Sequence, residues 1–326
     1  MQTFHKIILG NCVDMHELYD KSVHLVVTSP PYYNAPFDYP GLFKDYDEYL
    51  DMMRKVAKEL LKVLAQGRIA AFVTDDMLVE GEKYPVVADI TKIMMDAGFK
   101  YRDKIIWKKP EGYTRISRRS GVLLQNPYPM YFYPDNLQET ILIFQHGEFD
   151  YSYVKKLPEE IRKSSEVDLT DFSEHKWNLT VWEITNVLPL PGRLEEGIAA
   201  FPEEIPQRLI TLFSFAGETV LDPFLGSGTT MKVARQLDRN GIGYEIDLEL
   251  KRVILEKVGY YQKKLDLKDE DEFEIIERED ARRLRTWLQD RILRKKTEAV
   301  IHKRGRHHRN ASSLDKFSKR SKDGSA

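Results

Sequence analysis

A doubly wound, mostly parallel α/β sheet is the fold that this sequence predicts. Three observations lead there. Short apolar runs bounded by turn residues alternate with amphipathic stretches at helical spacing, as strand–helix units of a parallel sheet do. Two of these runs, 23–27 and 220–221, stop abruptly in a stiff or glycine-rich loop, at the strand edge where open α/β sheets bind ligands. The chain has 326 residues, 42% of them hydrophobic, so it is long enough to bury a full core.

Taken in order, residues 5–9 (HKIIL) read as a buried strand closed by Gly10 and Asn11. Residues 12–19 suit a short helix, and 23–28 form the next buried strand. Residues 33–44, rich in aromatics, proline and glycine, are expected to be a loop beside the site. Residues 46–64 carry Leu50, Met53, Val56, Ala57, Leu60, Leu61 and Leu64 at helical spacing, which predicts an amphipathic helix ended by Gly67. A strand at 68–74, a helix at 84–97 stopped by Gly98, and an alternating strand at 101–107 follow. Residues 108–126 interrupt the pattern with a basic run, and 139–145 (ETILIFQ) return to a buried strand.

Residues 148–193 show weak periodicity, many charges and scattered aromatics. That is too long for an ordinary loop, so an inserted recognition module is expected there. A helix over 201–215 restarts the alternation, with Pro206 near its start. A strand ending at Asp222, a helix at 229–237, a strand at 241–246 and a helix at 248–265 complete the second half. Residues 273–276 suggest one late strand. From about residue 304 the chain is basic and poor in large apolar residues, a composition that does not bury a core.

Composition narrows the function. No apolar run approaches the roughly 20 residues of a membrane helix, and the first residues lack the zones of a signal peptide. A single cysteine, Cys12, excludes internal disulfides and multi-cysteine metal sites. No metal is expected, and a cytoplasmic location fits. Net charge is −2 but uneven. Residues 291–326 hold 12 Lys and Arg against 3 Asp and Glu, while the rest holds 38 against 49. A nucleic-acid surface must therefore be a local patch.

Two stretches carry chemistry. In the first, Thr28, Ser29, Pro30, Pro31 and Tyr32 follow the strand at 23–27. The prolines fix φ and hold Ser29 extended, so the loop is stiff. It offers a hydroxyl, outward carbonyls and one flat ring, the parts needed to hold an exocyclic amino group and stack a planar base. A proline-rich turn that merely caps a core strand is the plain alternative. In the second, Asp222 closes a strand, and Phe224, Gly226 and Gly228 follow in a tight loop before a helix. No Gly-Lys-Ser/Thr ends this loop, so it is not a P-loop. Glu245, 23 residues after Asp222, ends the next strand, where an acidic residue can accept ribose hydroxyls.

The order of these two stretches, TSPPY first and DPFLGSGTT nearly two hundred residues later, resembles the amino-group DNA methyltransferases of the beta class. The resemblance covers roughly residues 4–147 and 196–262. It implies a Rossmann-like class I methyltransferase fold in circularly permuted order. It also implies S-adenosyl-L-methionine as cofactor and methyl transfer to the amino group of a flipped base. Ser29, Pro30, Pro31 and Tyr32 match the catalytic tetrad. The hydroxyl of Ser29 and the carbonyl of Pro30 would accept from the amino group, and Tyr32 would stack on the base. Asp222, Phe224, Gly226 and Gly228 match the methionine-side loop, with Thr28 beside them, and Glu245 matches the ribose contact. Asn11 stands where the family usually has Asp beside the adenine, although Asp280 lies in a similar context. Phe201 resembles the Phe-Pro before the cofactor helix, while residues 196–199 depart from the usual His-Pro-Ala.

Lys108, Lys109, Arg115, Arg118 and Arg119 are the candidate phosphate contacts. A solvated basic loop is the alternative. The expected organisation is a catalytic half at 1–147, a target-recognition insert at 148–195, a cofactor-binding half at 196–290 and a basic tail at 291–326. Double-stranded DNA is the implied partner, with a separately acting restriction endonuclease and room for a homodimer. Serine at the head of the tetrad is typical of cytosine-N4 enzymes, and Asp or Asn of adenine-N6 enzymes. A serine hydroxyl can serve either base. An RNA or protein amide methyltransferase and a non-catalytic nucleic-acid-binding protein are the other readings. Cys12, outside any Pro-Cys context, is expected to be a packing residue.

Overall fold

A computed structural model describes residues 1–34, 42–110, 121–134, 136–187, 200–261 and 271–283. The expectations for the basic tail, for residues 196–199 and for Arg115, Arg118 and Arg119 lie outside these, as does part of the loop expected at 33–44.

Nine strands form the main sheet. Strands β1 (Phe4–Leu9), β2 (Val23–Thr28) and β3 (Leu64–Thr74) belong to the first half, with β6 (Lys100–Lys108), β7 (Gln138–Gln145) and β8 (Val181–Glu183) after them. Strands β9 (Thr219–Asp222), β10 (Asn240–Glu245) and β11 (Glu272–Glu277) belong to the second. Two short strands, β4 (Met77–Val79) and β5 (Glu82–Tyr84), pair as a separate hairpin that the sequence pattern did not predict. The order across the main sheet is β11-β1-β10-β9-β2-β3-β7-β6-β8. Only β7 runs against its neighbours, so the sheet is mostly parallel.

Alternation in the buried strands assigns the two faces. Val26, Ala70 and Phe72 point to one side, where α1 (Tyr46–Val63) and α2 (Val86–Ala97) cover them. Leu25, Val27 and Ile69 point to the other, under α7 (Glu204–Phe213) and α8 (Thr229–Gln236). Ile7 and Leu9 meet α9 (Lys251–Lys257). A short helix, α3 (Gly121–Gln125), lies in the connection from β6 to β7. Helix α1 starts where the Asp45 side chain accepts the Glu48 N–H at 2.9 Å. It stops at Val63, and β3 begins at once. Gly67 therefore does not end the helix. It sits inside β3 with φ of +78°, and a Cβ there would lie 2.4 Å from the Phe149 backbone. Residues 12–19 form turns rather than a helix. Gly98 does cap α2, at φ +116°.

The stretch expected as an insert is divided by the fold. Three short helices, α4 (Ser152–Lys156), α5 (Glu159–Ser164) and α6 (Leu169–Glu174), lead into β8. That strand pairs parallel with β6 and buries Trp182. Near α4 the chain crosses the amino ends of β3 and β9, where Arg68 and Glu218 form a buried bidentate pair at 3.1 and 2.5 Å. The Tyr153 hydroxyl donates to Glu218 at 2.9 Å, the Phe215 N–H donates at 2.8 Å, and Phe149, Tyr153 and Phe215 surround the guanidinium. Among the described residues no helix is long and apolar enough to cross a membrane.

A buried cation left without its partner is costly. Glu218→Ala is expected to destabilise the fold by about 3–5 kcal/mol in urea unfolding. The double change Arg68→Met with Glu218→Gln should cost less than Glu218→Ala alone. A neutral Glu218→Ala would mean that the pair carries no structural weight.

Candidate active site

The carboxyl ends of β1, β10, β9 and β2 lie side by side, and each runs into a segment that lines one cavity of about 730 Å³. Gly10 to Val13 follow β1, Ser29 to Tyr32 follow β2, Pro223 to Ser227 follow β9, and Glu245 to Asp247 end β10. The chain moves outward in opposite directions from the β9/β2 pair, since α8 leads to β10 on one side and α1 leads to β3 on the other. That is the switch point at which doubly wound sheets bind ligands.

One hydrogen bond closes this junction. The Thr28 hydroxyl donates to Asp222 Oδ1 at 2.6 Å, and the Phe224 N–H reaches the same oxygen at 3.1 Å. Thr28 is fully buried and Asp222 is 2% exposed. Neither is among the residues that line the cavity; both stand directly behind its wall. Burial pushes the Asp222 carboxyl up to about 6, against the hydrogen bonds from Thr28 and Thr230 that favour its charge.

Glu245 does line the cavity. Its two oxygens accept the N–H groups of Gly226 and Asp247, each at 2.8 Å. Burial raises this carboxyl to about 8. Gly226 and Gly228 adopt φ of +54° and +93°, conformations that glycine tolerates. Gly226 is on the wall. Gly228 is not: it starts α8, and a Cβ there would lie 3.0 Å from Val258.

The remaining expected residues divide in the same way. Asn11, Phe201, Phe224 and all four tetrad residues line the cavity. Asp280 lies outside that lining, and its carboxylate accepts the Asn11 N–H at 3.1 Å while pairing with Arg278. Cys12 is buried against the core, and burial pushes its thiol up, so it is an unreactive packing residue that also touches the wall. Lys109 is 12% exposed, pairs with Glu139 and sits 4.7 Å over the Trp107 ring. Lys108 pairs with Glu183 at 2.8 Å and stays half-exposed.

Sequence reasoning missed six residues at or next to the cavity. Glu48, Asp51 and Lys55 project from α1 into the cavity rim. Their spacing of three, four and seven marks a polar helix face, and a polar face normally means solvent. Tyr244 and Asp247 flank Glu245. Glu139, at the start of β7, accepts the Tyr32 hydroxyl at 2.7 Å, a contact 107 residues away in the chain.

The comparisons agree with this geometry. The N6/N4 methyltransferase family model, described as DNA methylase, matches residues 23–256. The chain belongs to this family. It is 35% identical over 302 residues to the Type II methyltransferase M.MjaI of Methanocaldococcus jannaschii, covering 83% of this chain and 96% of that one. It is 31% identical to M.MthZI of Methanothermobacter thermautotrophicus, over 79% and 78%. Among solved structures, it is similar to the putative DNA modification methylase TTHA0409 of Thermus thermophilus in complex with S-adenosyl-L-methionine. That match has a TM-score of 0.64 at 27% identity over 84% and 98% of the chains. The cytosine-N4-specific PvuII DNA methyltransferase shares the fold, with a TM-score of 0.56 at 19% identity over 82% and 89%.

The enzyme is thus an S-adenosylmethionine-dependent amino-group methyltransferase with a class I methyltransferase fold. The donor set fits that cofactor. Two carboxylates, Asp222 and Glu245, stand in or just behind the wall with no ion pair among the described residues. Glu245 can accept donor hydroxyls such as those of a ribose, and carboxyls in this place disfavour a phosphate.

Asp222→Asn can keep its acceptor toward Thr28 and Phe224 and present its amide to Thr230. It is expected to fold within about 1 kcal/mol of the parent, whereas Asp222→Ala, which orphans the Thr28 hydroxyl, should cost about 2–3 kcal/mol. The folded carboxyl binds its proton more tightly than its ordinary value of 3.8. Its contribution to stability is therefore present below 3.8 and lost as pH rises toward about 6. The Asn variant should lack that loss when melting temperature is measured across the window.

Proposed function

We propose that this methyltransferase acts at a specific DNA sequence on N4 of an extruded cytosine, as the modification half of a restriction–modification pair. Ser29 is the observation that carries the base assignment. It heads the tetrad on the cavity wall, and serine at that place is typical of the cytosine-N4 enzymes it resembles. The Type II names of the two relatives support the site-specific role.

Each residue has a task that its position allows. Asn11, Phe201, Phe224, Gly226 and Glu245 would hold the cofactor, which when bound supplies an electrophilic sulfonium methyl group. The Ser29 hydroxyl and the Pro30 carbonyl would accept the two N–H bonds of the amino group. Held so, the nitrogen leaves the ring plane and its lone pair faces the cavity. Pro30 and Pro31 keep these acceptors in place without backbone motion, so the site is organised before the base arrives. The amino group is out of reach inside a duplex, so the base must leave the stack, and the Tyr32 ring gives it a new one.

DNA contact is assigned to the same edge of the sheet. Between β6 and β7, described residues Leu124, Tyr128, Met130 and Phe132 are exposed, which suits an unstacked or deformed duplex.

Transfer from labelled cofactor to unmethylated genomic DNA, with the product nucleoside identified by mass spectrometry, tests the assignment. N4-methylcytosine is expected; N6-methyladenine would overturn the base assignment and keep the fold and donor. Ser29→Ala and Tyr32→Ala should each lose at least about a hundredfold in rate with an intact melting transition, and full activity in both would remove the tetrad from the mechanism. Glu245 gives a separate test. Donor hydroxyls favour its charged form, so cofactor binding expels its proton below about 8. Affinity should rise about tenfold per pH unit toward that value and level off above it. Calorimetric titration of Glu245→Gln should show weaker binding and a flat profile.

A further inference from the structure

We propose that Glu139 is a positioning residue for methyl transfer: it fixes the Tyr32 ring at the angle needed to receive the extruded base. The proposal rests on Tyr32 being the stacking ring.

Pro30 and Pro31 stiffen the backbone before Tyr32, but they do not set its side-chain torsions. A ring that must offer one flat face needs its far end fixed as well. Here the hydroxyl donates to Glu139 Oε2 at 2.7 Å. The other oxygen of Glu139 is held by the Lys109 ammonium. Side-chain exposures of 12% and 13% put this pair largely out of water, where a charge-assisted hydrogen bond is strong and directional. Lys109 is itself seated over the Trp107 ring at 4.7 Å.

The strand ends that carry the pair are fastened to each other. The Lys109 N–H donates to the Leu137 carbonyl at 2.8 Å, and Asn136 bonds Asp75 at the end of β3. Glu139 therefore stands on a rigid base formed by β3, β6 and β7. It is not among the residues that line the cavity, and it reaches the site through the Tyr32 hydroxyl.

The test uses the full chain, labelled S-adenosylmethionine and unmethylated genomic DNA in single turnover. Glu139→Ala and Tyr32→Phe should each slow transfer by about tenfold or more, because each removes the same hydrogen bond. The double variant should be no slower than the worse single one. Cofactor Kd and melting temperature should stay near the parent values in Tyr32→Phe, which a general structural defect would not allow. Glu139→Gln, which keeps an acceptor for the hydroxyl, should recover part of the rate. Full activity in Tyr32→Phe overturns the proposal even if Glu139→Ala fails to fold. Multiplying losses in the double variant overturn it too. Tyr32→Ala separates the two levels. If it is fully active, the stacking role falls. If it is inactive while Tyr32→Phe is normal, stacking stands and only the Glu139 clamp falls.

Discussion

Thr28 and Asp222 are 194 residues apart in the chain, and the 2.6 Å hydrogen bond between them is the contact on which the site depends. It spans β2 and β9, the neighbouring strands from which the chain winds in opposite directions. On one side of that bond the tetrad loop leaves β2. On the other, the glycine loop leaves β9. Both partners are buried, so neither can satisfy itself with water if the other moves. The two loops are thereby held in one relative position, which the proposed transfer needs, because in it one would present the amino acceptors and the other would border the methyl donor.

Burial also sets the electrostatics. Asp222 and Glu245 are raised by desolvation to about 6 and about 8. Carboxyls shifted in this way cluster at functional sites. The Gly226 N–H is directed at Glu245, so the backbone turn that glycine permits helps to hold the carboxylate at the wall. The conformation of the loop and the charge of the site are one arrangement. At the other end of the sheet, Arg68, Glu218 and Tyr153 fasten the chain away from the cavity, which leaves the carboxyl edge open for a large substrate.

The buried strands were legible because β-sheet periodicity is local. Residues 23–28, 139–145 and 241–246 are apolar runs of strand length, and strands stand there. Gly67 misled because a glycine after a helical pattern reads as a cap, while here it answers a close approach of Phe149 that belongs to a distant segment. Residues 12–19 carry a helix-like pattern yet form turns, since Met15 and Leu18 are claimed by the core and not by a helix face. The stretch before β8 looked like an insert because its short helices bury little. Only Trp182 and Ile184 join the main core, and two residues are too few to give a period.

The sequence by itself determined the fold class, the two loops and the family, because proline, glycine and a carboxylate at a strand end constrain backbone and chemistry within a few residues. Tertiary structure decided which of the matching residues reach the cavity. Asn11, Phe224, Gly226 and Glu245 do, while Thr28, Asp222 and Gly228 support them from behind. It also decided that Lys109 faces Glu139 and that Glu139 meets Tyr32. These are pairings between segments 30 and 107 residues apart, set by strand order and register, and a local pattern carries no information about either.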